Sequence, residues 1–353
     1  MSISDHIDML LLKAEIGKPL SREEMVELLK MPGEYSVDLF AAADRVRENN
    51  VGNEIYLRGI IEFSNFCERN CLYCGLRKTN EKLERYRMSG DEILETAREI
   101  KATGIATVVL QSGEDSHYTA ERICKLVQAV KEETDLVITL ALGERSPEDY
   151  RAFFDAGADR YLLKHETASP ELYKYLRPGC RLDARVSCLK MLKNLGFEAG
   201  TGNMVGLPGQ TLEILADDLL LMKLLDADML GIGSFIAHPD TPLAGIDNDD
   251  IELALRVIAI ARLLTRNTNI PATTALATLN PHGRLQALQA GANVVMPDFT
   301  PEIYRVRYEI YPGRKNDLQS ADSIAQLEKD LHRIGRTMNY GTGQRNKHRP
   351  IKS

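Results

Sequence analysis

Apolar and polar positions change their spacing along the chain. From Ile55 onward, short apolar or β-branched runs alternate with stretches of about ten to fifteen residues that have helical spacing. This alternation predicts βαβ units and a parallel sheet. Eight such runs favour a complete (β/α)8 TIM barrel, whose usual length of about 250 residues fits the stretch 55–313. The predicted strands are 55–63, 107–111, 137–142, 161–164, 199–205, 229–235, 271–276 and 293–297.

The segments on either side of the predicted barrel have the spacing of helices. Residues 1–50 are a predicted N-terminal helical cap, in which Ser21 and Glu24 match a capping box just before Met25. Residues 51–313 are the predicted barrel domain, and residues 314–353 are a predicted C-terminal helix and tail that pack on it. Within that last region we expect a helix at 323–334, whereas the basic run at 345–349 is expected to be a solvated chain end.

Composition and charge narrow the class of protein. The chain has 353 residues, of which 44% are hydrophobic, so it can bury a sizeable core. Its net charge of -7 and pI near 5.6 give no electrostatic footprint for nucleic acid. There is no run of eighteen uncharged apolar residues, and the first residues lack the pattern of a secretory signal. We therefore expect a cytoplasmic protein with neither nucleic acid nor membrane as a partner.

Three cysteines supply the strongest chemical signal. Cys67, Cys71 and Cys74 form a C-x3-C-x2-C motif directly after the first predicted strand. Thiolates hold iron–sulfur clusters, and a [4Fe-4S] cube with only three of them keeps one iron open for another ligand. A structural zinc site is a weaker alternative, because no second C-x2-C pair or nearby histidine supplies a fourth ligand. A disulfide is weaker still, because it suits a secreted chain.

Polar residues stand where the predicted strands end, which is where such barrels carry their active sites. The Ser-Gly-Glu run at 112–114 offers close backbone approach and acceptors for an ammonium group, or alternatively forms an ordinary turn. Arg160, Lys164 and Glu166 alternate along the fourth strand and therefore share one side. If that side is the interior, they bind carboxylate and hydroxyl groups. The alternative is an Arg–Glu pair that closes the barrel end.

The cysteine spacing, with aromatic Tyr73 before the last cysteine, resembles the signature of the radical S-adenosylmethionine (SAM) enzymes. Longer stretches across residues 61–312 are similar to one family of the biotin-synthase-like group, the HydE family of [FeFe]-hydrogenase maturases. They are Ile61-Glu62-Phe63-Ser64-Asn65, Gln111-Ser112-Gly113-Glu114-Asp115, Arg160-Tyr161-Leu162-Leu163, His165-Glu166-Thr167-Ala168, Met204-Val205-Gly206-Leu207-Pro208-Gly209-Gln210-Thr211, His238-Pro239-Asp240-Thr241-Pro242-Leu243, Ile270-Pro271-Ala272-Thr273-Thr274 and Gly291-Ala292-Asn293-Val294-Val295-Met296-Pro297.

The resemblance implies a [4Fe-4S] cluster on Cys67, Cys71 and Cys74, with SAM on the open iron. It also implies that SAM is cleaved to a 5′-deoxyadenosyl radical, which attacks a cysteine-bound Fe(CO)2(CN) unit, a small organometallic substrate. By position, the implied cofactor contacts are Tyr73, Ser112, Gly113, Glu114, Lys164, Glu166 and Arg185. The implied substrate contacts are Arg160, Met229, Thr273, Thr274, Met296, Tyr308 and Tyr311.

Two features depart from the family pattern. Some members carry three further cysteines after the position of Gly313 and bind a second cluster there, whereas this chain has no cysteine after Cys188. Lys164 stands where members can have arginine, and lysine cannot form a two-pronged contact with a carboxylate. Methylornithine synthase and a non-catalytic iron–sulfur scaffold stay open as other functions. For a maturase we expect transient contact with other hydrogenase maturation factors.

Overall fold

The computed structural model describes residues 3–246, 250–314 and 321–345. Within them the chain is an α/β fold in which helices follow parallel strands. The strands are β1 (Glu54–Leu57), β2 (Gly59–Ser64), β3 (Thr107–Ser112), β4 (Val137–Ala141), β5 (Arg160–Leu162), β6 (Glu198–Thr201), β7 (Met204–Val205), β8 (Met229–Leu230), β9 (Gly233–Ser234), β10 (Val294–Val295) and β11 (Thr337–Asn339). The helices are α1 (Ile3–Glu15), α2 (Arg22–Lys30), α3 (Ser36–Val51), α4 (Gly90–Ala102), α5 (Ala120–Thr134), α6 (Pro147–Asp155), α7 (Pro170–Leu176), α8 (Leu182–Leu195), α9 (Leu212–Leu224), α10 (Ile251–Thr265), α11 (Thr274–Leu279), α12 (Gly283–Gln289), α13 (Glu302–Arg305) and α14 (Ala321–Arg333).

The largest sheet in the described part of the chain is parallel. Its strand order is β2-β3-β4-β5-β6-β8, and each neighbouring pair runs in the same direction. Every residue of β2 is buried, and so are most residues of β3 and β4, as expected for parallel strands with both faces covered. The predicted parallel α/β class is therefore confirmed.

The predicted complete barrel is not confirmed, because the continuous ladder has open edges at β2 and β8. The predicted first strand also divides, since β1 pairs with β10 and β11 whereas β2 pairs with β3. The division falls at Arg58, whose buried guanidinium donates to the carbonyl oxygen of Gly343 at 3.2 Å. Beyond the two open edges, single parallel bridges join Met229 to Asn269, Pro271 to Val294 and Ile60 to Asp298.

The later predicted strands differ most from the structure. The strand predicted at 271–276 is wrong for most of its length, because α11 begins at Thr274. Alanine and leucine at 275–277 favour a helix, and a short apolar run does not by itself distinguish a buried strand from a buried helix. The strand predicted at 199–205 is interrupted at Gly202, where an added Cβ would lie 2.1 Å from the carbonyl oxygen of Gly231. This close backbone approach separates β6 from β7.

The N-terminal helices cover part of the α/β core. α2 packs on α9, and α3 packs on α10, which explains why α9 and α10 are apolar on most of their surface. α2 begins at the predicted capping box: the Ser21 hydroxyl accepts from the Glu24 N–H at 3.2 Å, and the Glu24 carboxylate accepts from the Ser21 N–H at 2.6 Å. None of the described helices is both long and apolar enough to cross a membrane.

The C-terminal region contains the predicted helix and one strand that was not predicted. α14 begins two residues before the predicted range 323–334, and β11 then pairs in parallel with β1. The chain continues across the N-terminal ends of the strands, where the carbonyl oxygen of Thr342 accepts from Arg160 at 2.8 Å. Arg345 pairs with Asp228 at 3.2 Å, so the first residue of the basic run is anchored rather than solvated. Residues 346–353 lie outside the described residues.

Candidate active site

The cysteine motif lies in the loop after β2, at the carboxyl ends of the parallel strands. Cys67, Cys71 and Cys74 all line one cavity of about 360 Å³, a size typical of small-molecule sites. Side chains that are far apart in the sequence meet at this cavity. The predicted site residues that line it are Tyr73, Ser112, Gly113, Glu114, Lys164, Glu166, Arg185, Thr273, Thr274, Met296, Tyr308 and Tyr311.

The three thiols suit an iron–sulfur cluster better than a single metal ion. Burial raises the pKa of Cys67, Cys71 and Cys74, so a bound metal is what would stabilise their thiolates. In the described part of the chain, no three Cys, His, Asp or Glu side chains are placed to hold one metal ion. Each thiolate of a [4Fe-4S] cube binds a different iron, so the sulfur atoms do not need to converge on one point. The donor set therefore fits the cluster.

Gly113 brings the end of β3 against the cysteine loop. A Cβ added at this position would lie 2.2 Å from the carbonyl oxygen of Phe66 and 2.8 Å from the Cβ of Cys67. The N–H of Glu68 donates to the carbonyl oxygen of Glu114 at 2.9 Å, which ties the same two loops together. Only a residue without a side chain permits this approach.

Glu114 is surrounded by arginines. Its carboxylate oxygens lie 2.5 Å from Nε of Arg69, 3.2 Å from Nη2 of Arg177 and 3.8 Å from Nη2 of Arg185. Glu144 adds a second carboxylate, 2.9 Å from Nε of Arg185. Three guanidinium groups around two carboxylates leave one positive charge, which favours an anionic ligand group such as a carboxylate.

Arg185 reaches this cluster from α8, where its sequence context resembles that of a surface residue. The side chain is buried, and its Nε donates to the phenol oxygen of Tyr173 at 3.0 Å. Its Nη2 is also buried and has no hydrogen-bond partner among the described residues. Because an unpaired buried donor is costly, a ligand acceptor at this atom would stabilise the site.

Lys164 and Glu166 line the cavity after β5. Nζ of Lys164 lies 3.5 Å from Oε2 of Glu166, and this oxygen has no hydrogen-bond partner within the described residues. Glu166 has φ of 67°, in the left-handed region that glutamate rarely adopts. Its N–H donates to the carbonyl oxygen of Gly202 and its own carbonyl oxygen accepts from Met204, both at 3.0 Å, which holds that conformation. Such maintained strain is typical of ligand sites.

Arg160 and Met229 lie outside the cavity, at the opposite end of the strands. Arg160 forms an ion pair with Glu198 and donates to the carbonyl oxygen of Thr342 at 2.8 Å. Sδ of Met229 lies 2.9 Å from Nη1 of Arg58. Both are the first residues of their strands, whereas the cavity is at the carboxyl ends. The geometry thus favours the alternative of an Arg–Glu pair, which lies at the N-terminal ends of the strands with Glu198 rather than Glu166 as the partner.

Threonine and tyrosine hydroxyls form another part of the cavity wall. Thr273 precedes α11, Thr274 is the first residue of this helix, and both line the cavity. Two adjacent residues of a strand would instead face opposite sides of the sheet. The Thr273 hydroxyl donates to the carbonyl oxygen of Ile232 at 3.2 Å. Burial raises the pKa of Tyr308 well above its usual value and that of Tyr311 to about 12, so both phenols stay protonated and can donate hydrogen bonds.

Several cavity residues were not predicted from the sequence. Glu62 lies fully buried in β2 and pairs with Arg314 at 2.6 Å; a carboxylate within an apolar strand is a signal that could have indicated it. The Ser234 hydroxyl is buried and lacks a hydrogen-bond partner in the described residues, and nothing in its sequence context marks it. Arg177 lies just beyond α7, where only the tertiary contacts with Tyr73 and Glu114 indicate a role.

The fold is parallel α/β, and three free cysteines lie at a cavity at the carboxyl ends of its strands, as is typical of radical SAM enzymes. The family model of the Radical SAM superfamily matches residues 61–222. The chain is 49% identical to the [FeFe] hydrogenase maturase subunit HydE of Thermotoga maritima, over 84% of this chain and 85% of that protein. The chain belongs to the HydE family. As an enzyme of this class it uses a [4Fe-4S] cluster and SAM.

A second group of relatives is also similar. The chain is 32% identical to the 3-methylornithine synthase of Methanosarcina barkeri, over 84% of this chain and 85% of that protein. A crystal structure of methylornithine synthase superposes with a TM-score of 0.83 at 30% identity, and it covers 94% of this chain and 97% of that one. The parallel α/β fold is therefore shared with methylornithine synthase, whose name denotes a different function.

Proposed function

We propose that the chain is a radical SAM maturase that acts on a cysteine-bound Fe(CO)2(CN) unit during assembly of [FeFe]-hydrogenase. The identity of 49% to the Thermotoga maritima maturase, against 32% to 3-methylornithine synthase, supports this substrate class over an amino acid. When bound, the cluster and SAM supply the electron and the 5′-deoxyadenosyl radical, and the protein binds, orients and excludes water.

The observation that carries the proposal is the single cavity that the cysteines share with the proposed substrate residues. A small substrate beside Thr273, Thr274 and Tyr308 would react without the radical crossing bulk solvent. The hydroxyl groups are donors for the nitrogen of a cyanide ligand or for a carboxylate oxygen. Met296 and Tyr311 complete this proposed substrate wall.

We assign the SAM groups to the wall nearest the cysteine loop. Arg185, whose Nη2 has no hydrogen-bond partner among the described residues, is proposed to bind the SAM carboxylate. Ser112, Gly113 and Glu114 are proposed to hold the amino group, because the backbone approaches closely there and the carboxylate can accept hydrogen bonds. Glu166 is proposed to accept from a ribose hydroxyl through Oε2, which has no hydrogen-bond partner among the described residues. Tyr73 and Lys164 are proposed as further cofactor contacts, since both line the cavity.

Anaerobic reconstitution tests the cluster assignment. Wild-type protein should bind roughly four irons per chain and form 5′-deoxyadenosine when reduced with SAM present. Cys71→Ser should lose both properties. Cys124→Ser is the matched control, because Cys124 is a free thiol in α5 away from the cavity, and it should keep both. A Cys71→Ser protein with full iron and full deoxyadenosine formation would refute the assignment.

Substrate choice is tested with two candidate compounds. A synthetic iron–cysteine complex with carbonyl and cyanide ligands should stimulate deoxyadenosine formation. L-lysine, an isomer of 3-methylornithine, should not. Stimulation by lysine alone would overturn the maturase function in favour of an amino-acid mutase, which the fold shared with methylornithine synthase makes the second candidate. Reductive cleavage of SAM would be retained in either case.

Four further proposals accompany the similarity of the chain to the HydE family. We infer that the single bridges between β8 and β2 complete an eight-stranded barrel, since they span the gap between the two open edges. We propose the division into a helical cap at 1–50, a barrel at 51–313 and a C-terminal helix and tail at 314–353. Transient contacts with other hydrogenase maturation factors stay a prediction, and so does a cytoplasmic location.

A further inference from the structure

Arg85 connects the two ends of the cysteine motif. Its half-buried guanidinium donates only to backbone carbonyl oxygens in the described part of the chain. One acceptor lies two residues before Cys67 and another two residues after Cys74, so a single side chain closes the cysteine loop. The four acceptors are the carbonyl oxygens of Asn65 at 2.5 Å, Leu76 at 2.9 Å, Arg77 at 2.7 Å and Asn80 at 3.2 Å.

The charge of Arg85 has no ion-pair partner in the part of the chain that the structure describes. No carboxylate among the described residues lies within 4.0 Å of its guanidinium. Arg87 provides the contrast, since it stacks on Phe66 at 3.6 Å but forms a two-pronged pair with Asp115 at 2.8 and 3.0 Å. Arg85 also faces Phe66, at 5.9 Å. Of these two neighbouring cations, Arg87 has its charge offset by a carboxylate, whereas Arg85 has no such partner within the described residues.

This charge lies close to the cluster ligands. Arg85 lines a surface groove together with Cys67. Its acceptors Asn65 and Leu76 stand two residues from Cys67 and two residues from Cys74, so the guanidinium is held beside both ends of the cysteine motif. A charge that is partly removed from water acts more strongly on its neighbours than one in solvent.

We propose that Arg85 is a positioning residue for the [4Fe-4S] cluster, which clamps the cysteine loop and raises the cluster's reduction potential. Reduction adds one electron from an external donor, so the cluster becomes more negative and a nearby unpaired cation stabilises the reduced state. Hydrogen bonds and charges around a cluster are known means of setting its potential. This role goes beyond the proposed function, because it concerns loading and reduction of the cluster whatever the substrate is.

Two measurements on reconstituted protein separate the effect of the Arg85 hydrogen bonds on the cysteine loop from the effect of its positive charge on the cluster. The first is the midpoint potential from a reductive titration monitored by the electron paramagnetic resonance of the reduced cluster. The second is the rate at which iron is lost to a chelator. Arg85→Lys keeps the charge but cannot donate to all four carbonyl oxygens, whereas Arg85→Met and Arg85→Gln remove the charge. Lys78→Met is the matched control, since Lys78 is an exposed cation on the same groove and is screened by solvent.

The neutral variants should have a more negative midpoint potential and lose iron faster than wild type. Arg85→Lys should lose iron faster but keep a midpoint close to wild type, and Lys78→Met should change neither. The midpoint is read from the chains that retain a cluster, so partial occupancy does not affect it. If the neutral variants retain no cluster, an unchanged midpoint in Arg85→Lys supports the proposal and a lowered one overturns it. A wild-type midpoint in the neutral variants, or unchanged iron retention in Arg85→Lys, also overturns it.

Discussion

Glu62 and Arg314 form a two-pronged ion pair in the wall of the cavity, with Oε1 2.6 Å from Nη2 and Oε2 2.8 Å from Nη1. Glu62 belongs to β2, and Arg314 follows the segment that carries Tyr308 and Tyr311. Arg314 also donates to the carbonyl oxygen of Tyr308 at 2.9 Å. The pair therefore holds this segment against the sheet, and loss of Glu62 would leave the buried guanidinium of Arg314 without its two-pronged partner.

The Glu62 carboxyl should make stability depend on pH. Burial raises its pKa to about 8, against the opposing charge of Arg314, whereas in the unfolded chain it is about 4.3. Because the folded state binds this proton more tightly, the contribution of Glu62 to stability is fully present below about pH 4.3 and is lost as the pH rises towards about 8. The free energy of unfolding of wild type minus that of Glu62→Gln should therefore decrease between about pH 6 and pH 8.5.

Urea denaturation of the cluster-free protein at both pH values measures this difference. Glu121→Gln is the matched control, because Glu121 is an exposed carboxylate that pairs with Lys125 and its pKa is lowered. The difference between wild type and this control should stay constant over the same range. If the Glu62→Gln difference were constant or increased with pH, the raised pKa of Glu62 would be wrong.

Gly113→Ala should prevent normal cluster assembly. The added methyl group would lie 2.2 Å from the carbonyl oxygen of Phe66, so the cysteine loop would have to move. Overpacking of this kind costs about 1–3 kcal/mol, and we expect most of the iron to be absent after reconstitution. Gly90→Ala, where an added Cβ meets nothing within 4 Å, should bind iron as wild type does. Equal iron content in the two variants would contradict the tight contact.

Arg185→Lys should weaken SAM binding. In wild type, Nε of Arg185 contacts Glu144 and Tyr173, which leaves another nitrogen for a ligand carboxylate. Lysine keeps the charge but has only one nitrogen, so it cannot make both sets of contacts. Loss of one charge-assisted hydrogen bond corresponds to roughly a tenfold to hundredfold rise in the dissociation constant, which calorimetry on the reconstituted protein can measure. Arg181→Lys is the control, since Arg181 is exposed and paired with Asp183. Unchanged SAM affinity in Arg185→Lys would remove Arg185 from the proposed site.

Arg160→Met should reduce stability without changing SAM affinity. The change would leave the Glu198 carboxylate without its ion-pair partner at the end of the strands opposite the cavity. Breaking such a buried pair costs roughly 3–5 kcal/mol in the free energy of unfolding, measured by urea denaturation. Arg98→Met, which breaks an exposed pair with Glu133, should cost at most about 1 kcal/mol. A stable Arg160→Met protein with weaker substrate binding would instead support a substrate contact.

The sequence by itself determined the features that depend on local spacing. The cysteine motif indicates a candidate cluster site, because the three proposed ligands lie within eight consecutive residues, Cys67 to Cys74. The alternation of apolar runs and helical periods determined the parallel α/β class, since side-chain periodicity is a property of each segment. The capping box at Ser21 and Glu24 placed the start of α2 for the same reason.

Only the tertiary structure decided which distant residues meet. Arg160 and Lys164 share one side of an ideal strand, but β5 ends at Leu162, and the two side chains lie at opposite ends of the sheet. Arg185 is buried where α7 packs on α8 and Tyr173 of α7 accepts from its Nε, which helical spacing alone does not indicate. The pairing of Glu62 with Arg314 spans 252 positions. Such contacts depend on how whole elements pack, and the free energy of that packing is not contained in any one segment.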